Sequence, residues 1–240
     1  MTRDAEAPRA EAPDDGPRTL PDLLTPGLDL VFVGINPGER SARRGHYYGH
    51  PGNAFWRALS ASPLVARPVT PQDDAALADP AATGTGLRIG FTDVVKRVLT
   101  DSTGISDLEL REAAPAFRAR LRAARPRAVC FTTTRGFGAL YPRAWRARAW
   151  GQQPVPPLEG AEVWVMPSPS GRAAAYHGET AAVLAALAAS LGVGRLETAQ
   201  PIPPPPSRSG EGVGMLEVEP PTAPGSRPAT RGLGRKGAGA

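Results

Sequence analysis

The chain has 240 residues, and its 28 lysines and arginines outnumber its 23 acidic residues to give a formal net charge of +5. This basic balance fits a polyanionic partner such as nucleic acid, although arginine-rich proteins also exist that bind no DNA. The single Cys130 excludes an internal disulfide framework, a four-cysteine iron–sulfur cluster and a cysteine-based zinc site. The three histidines lack metal-ligand spacing, so we expect neither a metal nor another cofactor.

The two ends of the chain differ in composition from its middle. Residues 1–20 mix acids, prolines and arginines without apolar periodicity, and residues 194–240 contain the proline-rich run PIPPPPSRSG. Such segments bury too little apolar surface to offset the entropy of ordering. We therefore predict disordered tails at 1–20 and 194–240 around one domain at 21–193. With no signal peptide and no apolar run of membrane-spanning length, we expect a cytoplasmic protein that does not contact membranes. We also expect a monomer.

The first predicted strand contains the apolar residues of the run LVFVGI at 30–35. Its continuous apolar character is typical of a strand buried on both faces. The strand ends at GINPG, residues 34–38, where two glycines let a ligand approach the backbone. Ligands of open α/β sheets bind beyond the carboxyl ends of the strands, so Asn36 is well placed to act.

The remaining elements alternate between strands and helices. A helix capped by Asn53 is expected to contain Phe55, Trp56 and Leu59. The other predicted strands cover residues 86–93, 127–132 and 163–166, and helices are expected at 94–99, around 117–121 after a Ser106 cap and Pro115, at 137–141 and at 179–191. Residues 143–160 read as an irregular connection. This alternation predicts an α/β fold with a parallel sheet covered on both faces.

Four segments occur in an order and at spacings that together are specific. They are GINPG at 34–38, HPGNAFW at 50–56, GFTD at 90–93 and VMPSPSGR at 165–172. Together they resemble the mismatch-specific uracil-DNA glycosylase and thymine-DNA glycosylase family. The resemblance implies a three-layer α/β/α fold with a central parallel sheet. It also implies a monofunctional enzyme of base excision repair that flips a base out of duplex DNA and hydrolyses its N-glycosidic bond. Uracil in G:U mismatches is the implied substrate, with thymine and modified pyrimidines as further candidates.

The same resemblance implies roles for individual residues. Asn36 matches the residue that positions the attacking water, and Tyr48 matches the aromatic residue that stacks on the flipped base. Substrate-binding positions are matched by the backbone at Ile35 and Gly38 and by the side chains of Ser41 and Asn53. DNA-binding positions are matched by Ser168, Ser170, Gly171 and Arg172, of which Arg172 would enter the duplex.

Position 93 departs from the family pattern, because relatives often carry Asn or Lys where this chain has Asp93. The neutral amide of Asn36 can orient a water molecule but cannot accept its proton, whereas a carboxylate can accept the proton or stabilise the sugar cation. We therefore predict that Asp93 is a second catalytic residue. The competing interpretation is that Asp93 only caps a helix at 94–99.

Two other functions remain compatible with such a fold. One is a non-catalytic module that binds mismatched DNA, although the presence of both Asn36 and Asp93 argues against it. The other is a nucleotide-binding α/β protein, but the chain contains no G-x-x-x-x-G-K-[ST] motif and no convincing G-x-G-x-x-G motif after a strand.

Overall fold

A computed structural model describes residues 19–144, 150–170 and 176–194. The strands are β1 (Leu30–Gly34), β2 (Ile89–Asp93), β3 (Ala128–Phe131), β4 (Gly151–Gln152) and β5 (Glu162–Val165). The α-helices are α1 (Glu39–Arg44), α2 (Phe55–Ser60), α3 (Pro80–Thr83), α4 (Asp107–Ala124), α5 (Thr134–Leu140) and α6 (His177–Ser190). Short 3-10 turns occupy Pro71–Asp73, Ala76–Ala78 and Ser102–Gly104. The predicted tails at 1–20 and 194–240 lie almost wholly outside the described residues, so their disorder stays a prediction.

The five strands form one sheet in the order β2-β1-β3-β5-β4. The first four are parallel, whereas β4 pairs with β5 in the antiparallel direction. The expectation that residues 143–160 are irregular therefore missed a short edge strand, which is too brief to show a period-2 pattern. In the parallel register Gly34 lies opposite Asp93, so β1 and β2 end at the same level.

Two apolar cores lie on opposite faces of the sheet. Leu30 and Phe32 of β1 pack on one face with side chains of α2 and α6, and Val31 and Val33 pack on the other with side chains of α4 and α5. Every residue of β1 is buried, as expected for a parallel strand covered on both sides. The predicted three-layer α/β/α architecture is confirmed.

The helix expected at 94–99 is absent, which is the main correction to the predicted elements. The amides of Val94 and Val95 donate to the carbonyls of Gly34 and Ile35 at 3.1 and 2.9 Å. These bonds to the β1 end take the place of helical bonds, so the segment stays irregular. Asp93 therefore caps no helix, and that interpretation of its role is wrong.

Helix α4 begins earlier than Pro115 suggested. Ser106 is its N-cap and accepts a hydrogen bond from the amide of Glu109 at 3.0 Å, as the capping pattern predicted. Pro115 lies inside the continuous helix on its exposed side. Proline has no backbone N–H, so one hydrogen bond of the helix is missing there, at the solvent-facing side. None of the helices in the described parts of the chain is both long and apolar enough to cross a membrane.

Candidate active site

The segments that follow β1 and β2 are joined by hydrogen bonds into one rim at the carboxyl edge of the sheet. Besides the two amide bonds of Val94 and Val95, the amide of Leu99 donates to the carbonyl of Pro37 at 3.1 Å. The sequence places a polar residue at each strand end, Asn36 after β1 and Asp93 at the end of β2. The rim brings both residues to the same edge, as the parallel arrangement predicted.

Asn36 is half-buried and its side-chain amide is oriented by backbone groups. Its Nδ2 donates to the carbonyl oxygens of Pro37 and Arg97 at 3.0 and 3.3 Å. Because both contacts involve the nitrogen and no described residue donates to Oδ1, that oxygen can accept a hydrogen bond from a ligand or from water. The side chain is therefore suited to orienting a water molecule through its carbonyl oxygen.

Asp93 is only 4% exposed, although it carries a carboxylate. A Cβ atom at Gly34, the residue opposite, would lie 2.1 Å from its Oδ1. The absence of a side chain at Gly34 therefore makes the space that the carboxylate occupies. Its Oδ2 is fully buried and has no hydrogen-bond partner within the described residues. A buried, unpartnered carboxylate oxygen costs folding free energy, which is typical of a group kept for a ligand or a reaction.

Burial raises the pKa of Asp93 from its ordinary value of 3.8 to about 7, because the charged form loses its hydration. The charges of Lys96 and Arg120 oppose this increase in pKa, and the charge of Asp22 adds to it. At neutral pH the carboxylate can both hold and release a proton. Such a group is matched to general base catalysis near pH 7.

Tyr48 lies beside this carboxylate. Its backbone adopts the left-handed conformation, with a φ of 51°. Its hydroxyl is 3.8 Å from the position of a Cβ on Gly34 and donates to Thr132 Oγ1 at 3.4 Å. Its ring stacks on Phe55 with a centroid distance of 4.1 Å. The ring therefore has a fixed orientation, with one face against Phe55. Burial raises the pKa of Tyr48, and Asp93 adds to the increase, so the hydroxyl stays protonated.

The loop that presents Tyr48 is held from two sides. The amide of Gly49 donates to Ser41 Oγ at 3.0 Å. Asp74 is 2% exposed and accepts from the amide of Tyr47 at 2.9 Å and from the His46 ring at 3.1 Å. The structure thus places the predicted substrate residue Ser41 as a support of this loop. Asp74 and Thr132 were missed by the sequence analysis, because neither belongs to a motif and both reach the site through contacts distant in sequence.

The other predicted substrate-binding residues lie around the same edge. Ile35 is buried, and Gly38 precedes α1 with open space where a side chain would be. Asn53 is half-buried, and its Oδ1 accepts a hydrogen bond from the amide of Phe55 at 2.9 Å. The N-cap of α2 is Ala54, so Asn53 supports the helix start from one position earlier than expected.

The loop after β5 is the third connection at this edge of the sheet, and it contacts the start of α2. The carbonyl of Pro169 accepts a hydrogen bond from the amide of Ala54 at 2.9 Å. Ser168 is half-buried and its hydroxyl bonds to that of Ser170 at 3.1 Å, while Ser170 is exposed. Both hydroxyls remain at the surface where a phosphate can reach them. The predicted DNA-binding residues Gly171 and Arg172 lie outside the described residues.

Cys130 lies in β3 and is buried, and burial raises the pKa of its thiol, as expected for an inert core cysteine. The parts of the chain that the structure describes contain no group of three or more His, Cys, Asp and Glu residues that could hold a metal ion.

Comparison with known proteins identifies a family that matches this chain. A profile described as the Uracil DNA glycosylase superfamily matches residues 21–192, which is more than half of the chain. Members of that superfamily are DNA glycosylases, which are hydrolases that act on DNA. Among solved structures, the chain is similar to the solution NMR structure of a proposed uracil DNA glycosylase from Methanosarcina acetivorans. The identity is 23%, the TM-score is 0.42, and the match covers 71% of this chain and 98% of that one.

Proposed function

Because the chain belongs to the Uracil DNA glycosylase superfamily, we propose that it is a mismatch-specific uracil-DNA glycosylase, of the type that acts on G:U pairs in base excision repair. Thymine and modified pyrimidines are included among its proposed substrates. The observation that carries this proposal is the buried Asp93 carboxylate, whose Oδ2 has no partner within the described residues. It lies at the same sheet edge as the oriented amide of Asn36.

The proposed reaction divides the work between these two residues. The bond between the base and the deoxyribose breaks, and its electron pair leaves with the base. Asn36 orients a water molecule whose oxygen forms the new bond to the anomeric carbon, and the proton of that water passes to Asp93. While the sugar carries positive charge, the Asp93 carboxylate also stabilises it electrostatically. A partly ionised carboxylate at neutral pH supplies what the amide of Asn36 cannot.

The proposed contacts to DNA follow the same edge. The target nucleotide leaves the stack and its base lies against Tyr48, whose orientation is fixed by Phe55. Ser168 and Ser170 bind a flanking phosphate. Arg172 fills the gap in the duplex, a role that rests on the family resemblance alone.

The test is an excision assay on matched duplexes that carry uracil or thymine opposite guanine or adenine. Incubation followed by alkali should cleave the uracil strand of the G:U duplex, because alkali breaks the strand at an abasic site. Asn36→Ala and Asp93→Ala should each slow excision by at least about 100-fold. Asp29→Ala serves as the matched control, because Asp29 is a paired carboxylate at the opposite end of β1.

One outcome would contradict the proposed activity, and another would contradict only the proposed role of Asp93. A protein that binds the G:U duplex but leaves no alkali-sensitive site would be a non-catalytic mismatch-binding module. Loss of activity in Asn36→Ala with full activity in Asp93→Ala would remove Asp93 from the chemistry while leaving the enzyme class intact.

A further inference from the structure

Asp22 lies before β1 in sequence, yet its carboxylate reaches the end of β2. It accepts a hydrogen bond from Thr92 Oγ1 at 2.6 Å and one from Lys96 Nζ at 2.9 Å. Its other oxygen lies 3.0 Å from Nε of Arg120, which makes an ion pair, although this Nε has no hydrogen-bond partner of suitable geometry within the described residues. The carboxylate of Asp22 thus contacts Thr92 and Lys96, on either side of Asp93 in the chain, and also helix α4.

These contacts continue to the backbone of Asp93 itself. Arg120 Nη2 donates to the carbonyl oxygen of Asp93 at 2.7 Å. Lys96 Nζ also donates to the hydroxyl of Tyr47 at 3.2 Å, and Tyr47 is the chain neighbour of Tyr48. The side chains of Asp22, Lys96 and Arg120 are only 20%, 28% and 24% exposed, so solvent screens these contacts only in part.

The segment after β2 needs such support because it is not helical. Val94 and Val95 are held through backbone bonds to the β1 end, and the side chain of Asp93 makes no hydrogen bond through Oδ2. The described bonds that hold Asp93 in place are therefore those of its neighbours and of its own carbonyl. Asp22 contacts three side chains of this region, those of Thr92, Lys96 and Arg120.

We propose that Asp22 is a positioning residue for Asp93: by binding Thr92, Lys96 and Arg120 together, it holds the end of β2 and balances the positive charges beside the reactive carboxylate. This inference rests on the proposed uracil excision only for its catalytic consequence. The effect on the Asp93 carboxyl group itself can be measured without any reaction.

The charged and titratable groups around Asp93 give opposite expectations for two substitutions. Those facing it are Lys96 from the segment after β2, Arg120 from α4, Asp22 from the segment before β1, and Tyr47 and Tyr48 from the loop after α1. Removing the negative charge of Asp22 leaves Lys96 and Arg120 uncompensated, which favours ionised Asp93. Removing the positive charge of Lys96 disfavours it.

The experiment follows the ¹³C NMR signal of the Asp93 carboxyl carbon through a pH titration of the full-length protein. The signal is assigned by its loss in Asp93→Asn. Relative to wild type, Asp22→Asn should lower the titration midpoint and Lys96→Gln should raise it, each by roughly half a pH unit to one unit. Asp29→Asn is the matched control and should leave the midpoint unchanged, because Asp29 pairs with Arg127 at the other end of the strand pair.

A second readout tests the positioning role. Asp22→Asn should lower the single-turnover excision rate at saturating G:U duplex at least about tenfold at pH 8, where Asp93 is ionised in both proteins, and leave the affinity for that duplex within about twofold. If Asp22→Asn does not fold, the opposite shift expected for Lys96→Gln still tests the charge balance.

Absence of midpoint shifts in both variants, shifts of the same sign, or an equal shift in Asp29→Asn would overturn the inference. If wild type cleaves the duplex, an equal excision rate in a folded Asp22→Asn would overturn it as well. If the midpoints shift as expected but no duplex is cleaved by any variant, the charge balance stands and the proposed function fails.

Discussion

At the scale of single residues, the site depends on a carboxylate that the fold buries at a cost. The pKa of Asp93 is raised from 3.8 to about 7, so the folded state keeps a proton that the unfolded state loses between these values. Below about pH 4 both states hold the proton, and the ionisation of this group costs the folded state nothing. As the pH rises to about 7 the stability falls, and above that the full penalty, on the order of 4 kcal/mol at most, is present.

This decrease of stability with rising pH leads to a prediction for Asp93→Asn. The amide cannot ionise, so the variant should be more stable than wild type at pH 8, with a melting temperature several degrees higher, and the difference should shrink toward pH 4. Thermal melts at both pH values check this. A variant that is less stable than wild type at pH 8 would show that the carboxylate is stabilised by contacts beyond those described.

Gly34 gives a steric prediction. A methyl group there would meet Asp93 Oδ1, so Gly34→Ala should force the carboxylate to move, cost about 1–3 kcal/mol of unfolding free energy and reduce excision strongly. Denaturant unfolding and the excision assay measure both effects. Gly178→Ala is the matched control, since nothing lies within 4 Å of its added methyl group. Full activity in Gly34→Ala would contradict the close placement of these two residues.

At the scale of elements, the site is built from three connections that end at one edge of the sheet. The loop carrying Tyr48 has a strained backbone at that residue, with a φ of 51°. Hydrogen bonds to the side chains of Ser41 and Asp74 hold this loop in place. In the proposed function, these contacts keep the aromatic ring in place before the flipped base binds. Preorganisation of this kind reduces the entropy lost on binding.

Asp74→Ala tests the fastening of this loop. The change leaves the amide of Tyr47 without its acceptor, so we expect a loss of about 2–4 kcal/mol in unfolding free energy and weaker binding of the G:U duplex. The neighbouring Asp73→Ala is the control, because Asp73 caps a surface turn and pairs with the exposed Arg67, and its loss should cost about 1 kcal/mol with unchanged binding. Equal effects of the two changes on binding would show that the loop does not depend on Asp74.

The sequence predicted the elements that carry a strong apolar period and the residues at their ends. Asn36 and Asp93 were found because parallel strands end together and both residues interrupt apolar runs. Asp22, Asp74 and Thr132 were not found, since each acts across many residues of chain and no local pattern marks it. The prediction of a helix at 94–99 was wrong for a similar reason. Hydrogen bonds to the distant end of β1 replace those of a helix, and no local pattern marks them.

At the scale of the whole molecule, the family profile and the described site both lie within residues 19–194. The flanking segments have a composition that favours disorder. The chain shortened to residues 1–194 should therefore melt within about 2 °C of the full-length protein and keep its excision rate within about twofold. Calorimetry and the excision assay check this. A large loss of stability or of excision rate would contradict this expectation.

The proposed reaction depends above all on the Asp93 carboxylate. The most direct test is the single-turnover excision rate on a G:U duplex between pH 5 and 9 for wild type and Asp93→Asn. The wild-type rate should rise with pH, about tenfold per unit, and level off near pH 7, as Asp93 loses its proton. Asp93→Asn should be at least about 100-fold slower at pH 8 and should lack this rise. A variant that matches the wild-type rate and pH profile would contradict a catalytic role for Asp93.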